Sequence, residues 1–201
     1  MPTAVDLRAF SDDSPPEGES AYLVPPSRAP IAVVPYDDAW PRLFARVATG
    51  IRDVLGPRAL RVEHVGSTSV PGLSAKPIID IDLTVADPGD ETRYVPVLTG
   101  SGWVHTVREP WWHGHRMLKF VEPRVNLHVF GPDSPEPWRH IILRDHLRGD
   151  AADRDRYAAI KLESAVAATT AHETVDEYNA RKQRVLREII GRALDAAGVP
   201  T

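Results

Sequence analysis

Residues 65–85 of the chain read VGSTSVPGLSAKPIIDIDLTV and combine a loop rich in small residues with a strongly alternating segment. The alternating part, residues 78–85, predicts a β-strand because successive side chains on a strand point to opposite faces. One face carries the apolar side chains, those of Ile79, Ile81, Leu83 and Val85. The other face carries Asp80, Asp82 and Thr84, so two carboxylates are expected side by side opposite a buried face.

Two carboxylates at this spacing are a candidate site for a divalent cation. They lie about 6.5–7 Å apart along one strand face, where they repel and raise each other's pKa. A cation between them removes that repulsion and supplies a Lewis acid. The alternative from these residues alone is a pair of carboxylates on an edge strand that faces water.

The turn before the strand adds a candidate phosphate contact. Gly66 would let the backbone approach a triphosphate, and Ser67 would offer a hydroxyl donor, although Gly-Ser by itself is a common turn. Twelve residues separate Ser67 from Asp80. This combination resembles the nucleotidyltransferase superfamily motif of the DNA polymerase β type, in which Gly-Gly or Gly-Ser precedes Asp-apolar-Asp/Glu.

The amino-acid sequence resembles a narrower family, the GrpB family, over about residues 31–192. The segments that carry the resemblance are residues 63–68, 70–73, 75–81, 124–129 and 143–148, together with Tyr157…Lys161 and Tyr178…Lys182. The resemblance implies an α+β, nucleotidyltransferase-like fold. Some members of the family are fused to dephospho-coenzyme A kinase, but this chain has no Gly-Lys-Ser/Thr phosphate loop of its own.

The order of the predicted elements agrees with that fold class. Residues 1–30 are rich in proline and predict a flexible arm, with a segment that wraps onto the domain as the alternative. The domain then spans residues 31–201. An amphipathic helix ends before Gly56-Pro57, and further strands are predicted at 60–65, 103–107, 117–121 and 125–130. The sheet ends at about 133 and a helical region covers 137–197, so we expect a mixed β-sheet backed by helices.

The third member of the predicted metal site is a histidine. Polymerase-like enzymes usually place a third carboxylate on a neighbouring strand, and here that strand offers Asn126 and His128. The GrpB pattern tends to have histidine at both positions. We therefore predict Asp80, Asp82 and His128 as catalytic and metal-binding residues, with His128 as third ligand or as proton carrier. The alternative for His128 is a packed, hydrogen-bonded residue.

Two further groups of residues are candidates for ligand contacts. The first is a loop that contains Trp111, Trp112, His113 and His115. Its tryptophans are expected to stack on a flat ring of the ligand or, alternatively, to cover the core. Its two histidines have a spacing compatible with metal binding. The second group would bind phosphate together with Gly66 and Ser67: Lys76, Arg116, Lys119, Arg144, Lys161 and Lys182. Any one of these cations alone is a surface charge, so their convergence on one pocket is the test.

Composition limits the classes of function. The net charge of -4 argues against a nucleic-acid partner, and no segment has the length or character of a membrane span or signal peptide. Cysteine is absent, and a cytoplasmic location is expected. The predicted function is Mg²⁺- or Mn²⁺-dependent chemistry on a nucleoside triphosphate with a small-molecule acceptor. The alternatives are a non-catalytic nucleotide- or metabolite-binding module, and a metal-dependent hydrolase or ligase that uses the same three residues.

Overall fold

A five-stranded mixed sheet forms the centre of the molecule. The computed structural model describes residues 1–11 and 15–201. Its strands are β1 (Arg61–Val65), β2 (Ile79–Thr84), β3 (Val104–Glu109), β4 (His115–Phe120) and β5 (Val125–Phe130). They are arranged in the order β1-β2-β5-β4-β3. Strands β2 and β5 run parallel, whereas the other neighbours are antiparallel. The predicted α+β class with a mixed sheet is therefore confirmed.

Helices cover both faces of this sheet. They are α1 (Ala4–Arg8), α2 (Trp40–Leu55), α3 (Val95–Gly100), α4 (Glu136–Gly149), α5 (Ala151–Thr170) and α6 (Val175–Ala196). The apolar stripe of α2 packs on the apolar face of β2, where Ile79, Ile81 and Leu83 are almost completely buried. This packing forms the main core and explains the clean alternation of β2.

The helices α4, α5 and α6 pack together on the opposite side of the sheet. They form a second apolar cluster with the loop that precedes β2, through contacts of Val70 and Leu73 with Leu147, Tyr157 and Ile189. Because this loop joins the Gly-Ser turn to β2, the cluster holds the turn against the helices. The polar face of β2 is therefore turned toward the helical region. None of the helices in the described ranges is both long and apolar enough to cross a membrane.

The N-terminal arm contacts the domain at several points in its described residues. Helix α1 begins with a capping box formed by Thr3 and Asp6. Further along, Tyr22 forms an isolated bridge with Val107 of β3, and its hydroxyl bonds to Asp176 at the start of α6. Residues 12–14 of the predicted arm lie outside the described residues. The boundary at residue 30 and the flexibility of the arm stay predictions.

Candidate functional site

Strand register brings the predicted catalytic residues to one face of the sheet. In the parallel pair of β2 and β5, Asp80 lies beside Asn126 and Asp82 lies beside His128. The antiparallel partner β1 places Glu63 beside Asp82 on the other side. Residues that are directly opposite in neighbouring strands share a face. The polar face of the sheet centre therefore carries both aspartates and the histidine, as the alternation of each strand predicted.

Asp80 is enclosed by an amide and by the Gly-Ser turn. Asn126 Nδ2 donates to Asp80 Oδ1 at 2.8 Å, and His128 Nε2 lies 4.0 Å from the same oxygen. Gly66 has a φ of +67°, and a Cβ atom on it would lie only 2.5 Å from Asp80 Oδ2. Glycine is thus required by both the left-handed backbone and the close approach. Ser67 follows directly and begins a one-turn 3-10 helix, Ser67–Ser69.

Asp82 is almost completely buried, whereas Asp80 is partly exposed. Its Oδ2 accepts a hydrogen bond of 2.8 Å from His140 Nδ1 in α4, while its Oδ1 is buried without a hydrogen-bond partner among the described residues. Burial alone lowers the pKa of His140, but the charge and hydrogen bond of Asp82 outweigh it and raise this pKa to about 9. His140 therefore carries a positive charge at neutral pH and compensates the buried carboxylate.

A chain of side chains leads from His128 to the end of β3. His115 Nε2 lies 3.1 Å from His128 Nδ1, and His115 Nδ1 lies 2.7 Å from Glu109 Oε2. Burial, with the nearby His128, holds the pKa of His115 well below its usual range, so His115 is neutral. A neutral His115 that donates to Glu109 must accept from His128 Nδ1–H. This assignment leaves His128 Nε2 unprotonated, on the side of Asp80.

Three lysines converge beside Asp80. Lys161 and Lys182 each follow a tyrosine by four residues on neighbouring helices, and Lys76 comes from the loop before β2. The ammonium groups of Lys76 and Lys182 lie 4.9 and 5.0 Å from the centre of the Tyr178 ring. None of the three forms an ion pair with a carboxylate within 4.0 Å in the parts of the chain that the structure describes. The three therefore form a cluster of unpaired cations next to the predicted metal site.

The lysine cluster is electrostatically strained. Burial lowers the pKa of Lys161 to about 7 and that of Lys76 and Lys182 to about 8, and Asp80 opposes this shift in all three. Repulsion from Lys182 contributes to the shift of Lys76 and of Lys161. Lys161 also donates to Ser74 O, which ties α5 to the loop. An anion placed among the ammonium groups would relieve this repulsion.

Of the other predicted phosphate contacts, Arg116 and Arg144 lie outside this cluster, whereas the charge of Lys119 adds to the lowering of the Lys76 pKa by burial. Arg116 lies in the sheet row of Val129, on the apolar face, and pairs with Glu91. Arg144 pairs with Glu63 Oε2 at 3.1 Å and donates to His64 O at 3.0 Å, at the edge of the site near β1. Lys119 is exposed and lies in register with Asn126, so it shares the row of Asp80 two strands away.

The predicted ligand loop is divided between two environments. His115 belongs to β4 and contacts His128, as described above. Trp112 donates its indole N–H to Ser11 O and packs against His115 at 5.3 Å. His113 has a φ of +52° and lies 3.8 Å from Glu136. Trp111 is half-buried in the same turn. In the described residues, the aromatic surface of Trp112 is thus directed at the histidines of the site.

His140, Glu109 and Glu136 were not found from the sequence. A signal for His140 was available, because polar residues recur at four-residue spacing along α4 and so share one helix face. These residues are Glu136, His140, Arg144 and Arg148. Their stripe faces β1, β2 and the Gly-Ser turn, since Arg148 donates to Ser69 O. Glu109 gave no comparable signal, because only the pairing of β3 with β4 places it opposite His115.

The ligand atoms of Asp80, Asp82 and His128 do not all lie within 4.8 Å of one another. Within the described ranges, one group of three possible metal ligands does so, namely His146, Asp150 and Asp153. There, Asp153 accepts hydrogen bonds from His146 and from Arg192, which explains that group as an ion-pair network at the start of α5. The two aspartates and the histidine are thus a wider arrangement than a closed three-ligand metal site.

A mixed sheet with two aspartates on a middle strand, and a Gly-Ser turn packed against the first of them, defines a nucleotidyltransferase-like α+β domain. The GrpB protein family matches residues 30–192, so the chain belongs to the GrpB family. A UPF0157 protein of Halalkalibacterium halodurans is 48% identical over 170 residues, which are 84% of this chain and 85% of that protein.

A solved structure and a longer relative extend this comparison. The crystal structure of the conserved protein GrpB from Enterococcus faecalis matches with a TM-score of 0.73 and 29% identity, and the match covers 83% of this chain and 99% of that one. A dephospho-CoA kinase of Mycolicibacterium paratuberculosis is 30% identical over 198 residues, covering 85% of this chain but 48% of the kinase. The chain thus corresponds to about half of that protein.

Proposed function

We propose that this chain is a Mg²⁺-dependent enzyme that binds a nucleoside triphosphate and transfers its nucleotidyl group to a small-molecule acceptor. The observation that carries the proposal is the meeting of two carboxylates with three unpaired lysines at Asp80. A site with both carboxylates and ammonium groups suits a ligand that carries a cation for the carboxylates and an anion for the lysines. A polyphosphate with a bound divalent cation is such a ligand.

The residues present suit Mg²⁺ held by two carboxylates. The buried, unpartnered Oδ1 of Asp82 is an acceptor that lacks a donor, and a cation would satisfy it. Mg²⁺ is usually bound by one or two carboxylates together with substrate phosphates and water, so Asp80 and Asp82 suffice without a third protein ligand. When bound, the ion neutralises charge on the phosphates and polarises the phosphorus. Mn²⁺ prefers similar oxygen ligands.

The remaining residues either bind the phosphates or accept the proton of the acceptor. Gly66 lets the phosphates approach the backbone, while Lys76 and Lys182 neutralise the pyrophosphate that leaves. The acceptor hydroxyl forms the new O–P bond, the bond between the α-phosphorus and the bridging oxygen breaks, and pyrophosphate departs with that bonding pair. The hydroxyl proton passes to His128 Nε2, whose other nitrogen donates to His115.

Titration calorimetry with nucleoside triphosphates and Mg²⁺ tests the proposal directly. We expect binding that requires both the nucleotide and the cation, and that is lost in Asp80→Asn. Asp155→Asn is the matched control, because it removes the same charge from an exposed position on α5. A wild-type protein that binds no nucleotide in the presence of Mg²⁺, or an Asp80→Asn variant that binds as well as the control, would refute it.

A second candidate is a non-catalytic module that binds a nucleotide-bearing ligand. Two observations favour it. In the site as described, His128 and Asn126 stand where a third carboxylate would complete a polymerase-like centre. The relatives named dephospho-CoA kinase contain a matching region within a longer chain. Nucleotide binding that is indifferent to chelation, without release of pyrophosphate, would distinguish this module from the enzyme.

A further inference from the structure

We propose that the N-terminal arm contributes to ligand binding at this site. Its docking on Arg139 positions Glu136 and His140 against Asp82. Arg139, Glu136 and His140 are positioning residues in this proposal, since they act on the ligand through Asp82. The proposal rests on the proposed function in one respect, namely that Asp82 contacts the bound cation. The arm lies outside residues 30–192, the part that matches the GrpB family.

Arg139 is the anchor of the arm. It lies on α4 with only 1% of its surface exposed, and it donates to the backbone carbonyls of Asp6, Leu7 and Ala9. The ring of Phe10 covers its guanidinium at 4.9 Å. A guanidinium has five N–H donors, and each one buried without an acceptor destabilises the fold. The position of Arg139 therefore depends on the arm, which supplies three of its acceptors.

Glu136 connects this anchor to the site. It forms an ion pair with Arg139 through Oε1, while its Oε2 lies 3.9 Å from His140 Nε2. His140 Nδ1 in turn donates to Asp82 Oδ2 at 2.8 Å. Glu136 is therefore an anion shared by two cations. If Arg139 loses the arm and moves, Glu136 is free to close on His140 and to draw the imidazole away from Asp82.

The docked state of α1 is easily perturbed. A five-residue helix is too short to persist in water without tertiary contacts. Its start is stabilised by the capping box, in which Asp6 N donates to Thr3 Oγ1 and Thr3 N donates to Asp6 Oδ2. Substitution of an exposed capping residue therefore shifts docking without touching Asp82 or its neighbours. The arm and the site can then be separated experimentally in the full-length chain.

The test compares Asp6→Ala with Asp155→Ala, an exposed aspartate on α5 that serves as control. Hydrogen exchange at the Leu7 and Ala9 amides, which bond to Thr3 O and Val5 O, reports docking of α1. The ring nitrogen signals of His140 in an NMR spectrum report its contact with Asp82. Calorimetry with Mg²⁺-ATP reports binding. In Asp6→Ala we expect faster exchange, shifted His140 signals and affinity about fivefold weaker, the size of a lost helix cap.

A second variant, Glu136→Gln, removes the charge that links Arg139 to His140. It must shift the NMR signals of His140 as Asp6→Ala does, even while α1 stays docked. Unchanged His140 signals in Glu136→Gln, or in an Asp6→Ala protein whose α1 amides exchange faster, overturn the proposal. If the wild-type protein does not bind Mg²⁺-ATP, the proposed function fails. The His140 signals still decide whether the arm is coupled to Asp82, so the two failures are distinguishable.

Discussion

Replacement of Gly66 by alanine tests the close approach on which the site depends. A Cβ atom at this position would lie 2.5 Å from Asp80 Oδ2 and 3.0 Å from Asp80 Cβ. The backbone of Gly66, with a φ of +67° and a ψ of -171°, costs a non-glycine residue about 1–3 kcal/mol, and overpacking adds about 1–3 kcal/mol. We therefore expect Gly66→Ala to lower the free energy of unfolding by about 2–6 kcal/mol. The methyl group also displaces the Asp80 carboxylate, so Mg²⁺-nucleotide binding should be lost.

Gly72 provides the matched control for this prediction. Its φ of +79° is also left-handed, but a Cβ atom there would meet nothing within 4 Å. Gly72→Ala should therefore show only the backbone cost of about 1–2 kcal/mol and keep ligand binding. Urea denaturation of the two variants measures the difference, and calorimetry measures binding. If Gly66→Ala is no less stable than Gly72→Ala and binds nucleotide equally well, the reasoning about Asp80 and the turn is wrong.

Three further predictions concern charge and packing. The pKa of His140 is raised from 6.5 to about 9. The stabilisation that protonated His140 provides is therefore complete below pH 6.5 and is lost as the pH rises through 9. The urea midpoints of the wild type and of His140→Gln should converge over that pH range. The pKa values of Lys76 and Lys182 are both about 8, so nucleotide affinity measured by calorimetry should fall from pH 7 to pH 9. Lys182→Met should weaken binding at pH 7 by about tenfold or more and make this dependence shallower, while the part due to Lys76 remains. Leu118 is fully buried in the main core, so Leu118→Ala should cost about 2–5 kcal/mol in denaturation experiments while ligand binding is kept.

The fold was predictable because its signals are local in the sequence. The period-two alternation of residues 78–85 correctly placed Ile79, Ile81 and Leu83 in the core and turned Asp80 and Asp82 to the other face. Helix α2 was predicted from its apolar stripe in the same way. The short α3 was not predicted, because six residues around Pro96 give little periodicity. Its burial depends on contacts with α2 and β3 that no local pattern records.

The site was less predictable because its contacts join distant segments. His140 and Asp82 are 58 residues apart, and the sequence does not indicate that α4 crosses beside β2. Arg116 shows a different limit. Arg116 and Lys119 were both taken as phosphate contacts, yet residues three apart on one strand must point to opposite faces. The parity of β4 alone would have assigned Arg116 to the face of Leu118, where it pairs with Glu91.

The charges around Asp80 explain how a site of this kind can lack a third carboxylate. At neutral pH the buried charge of Asp82 is already compensated by His140, and three lysines surround the remaining carboxylate. A third acid would be needed to hold a bare divalent cation, but here the cations outnumber the anions. We therefore expect an anionic ligand to bind first, and a divalent ion to bind mainly as part of a polyphosphate complex. By linkage, each of the two then strengthens the binding of the other by the same factor. In the proposed mechanism His128 does not hold the ion and accepts the proton instead.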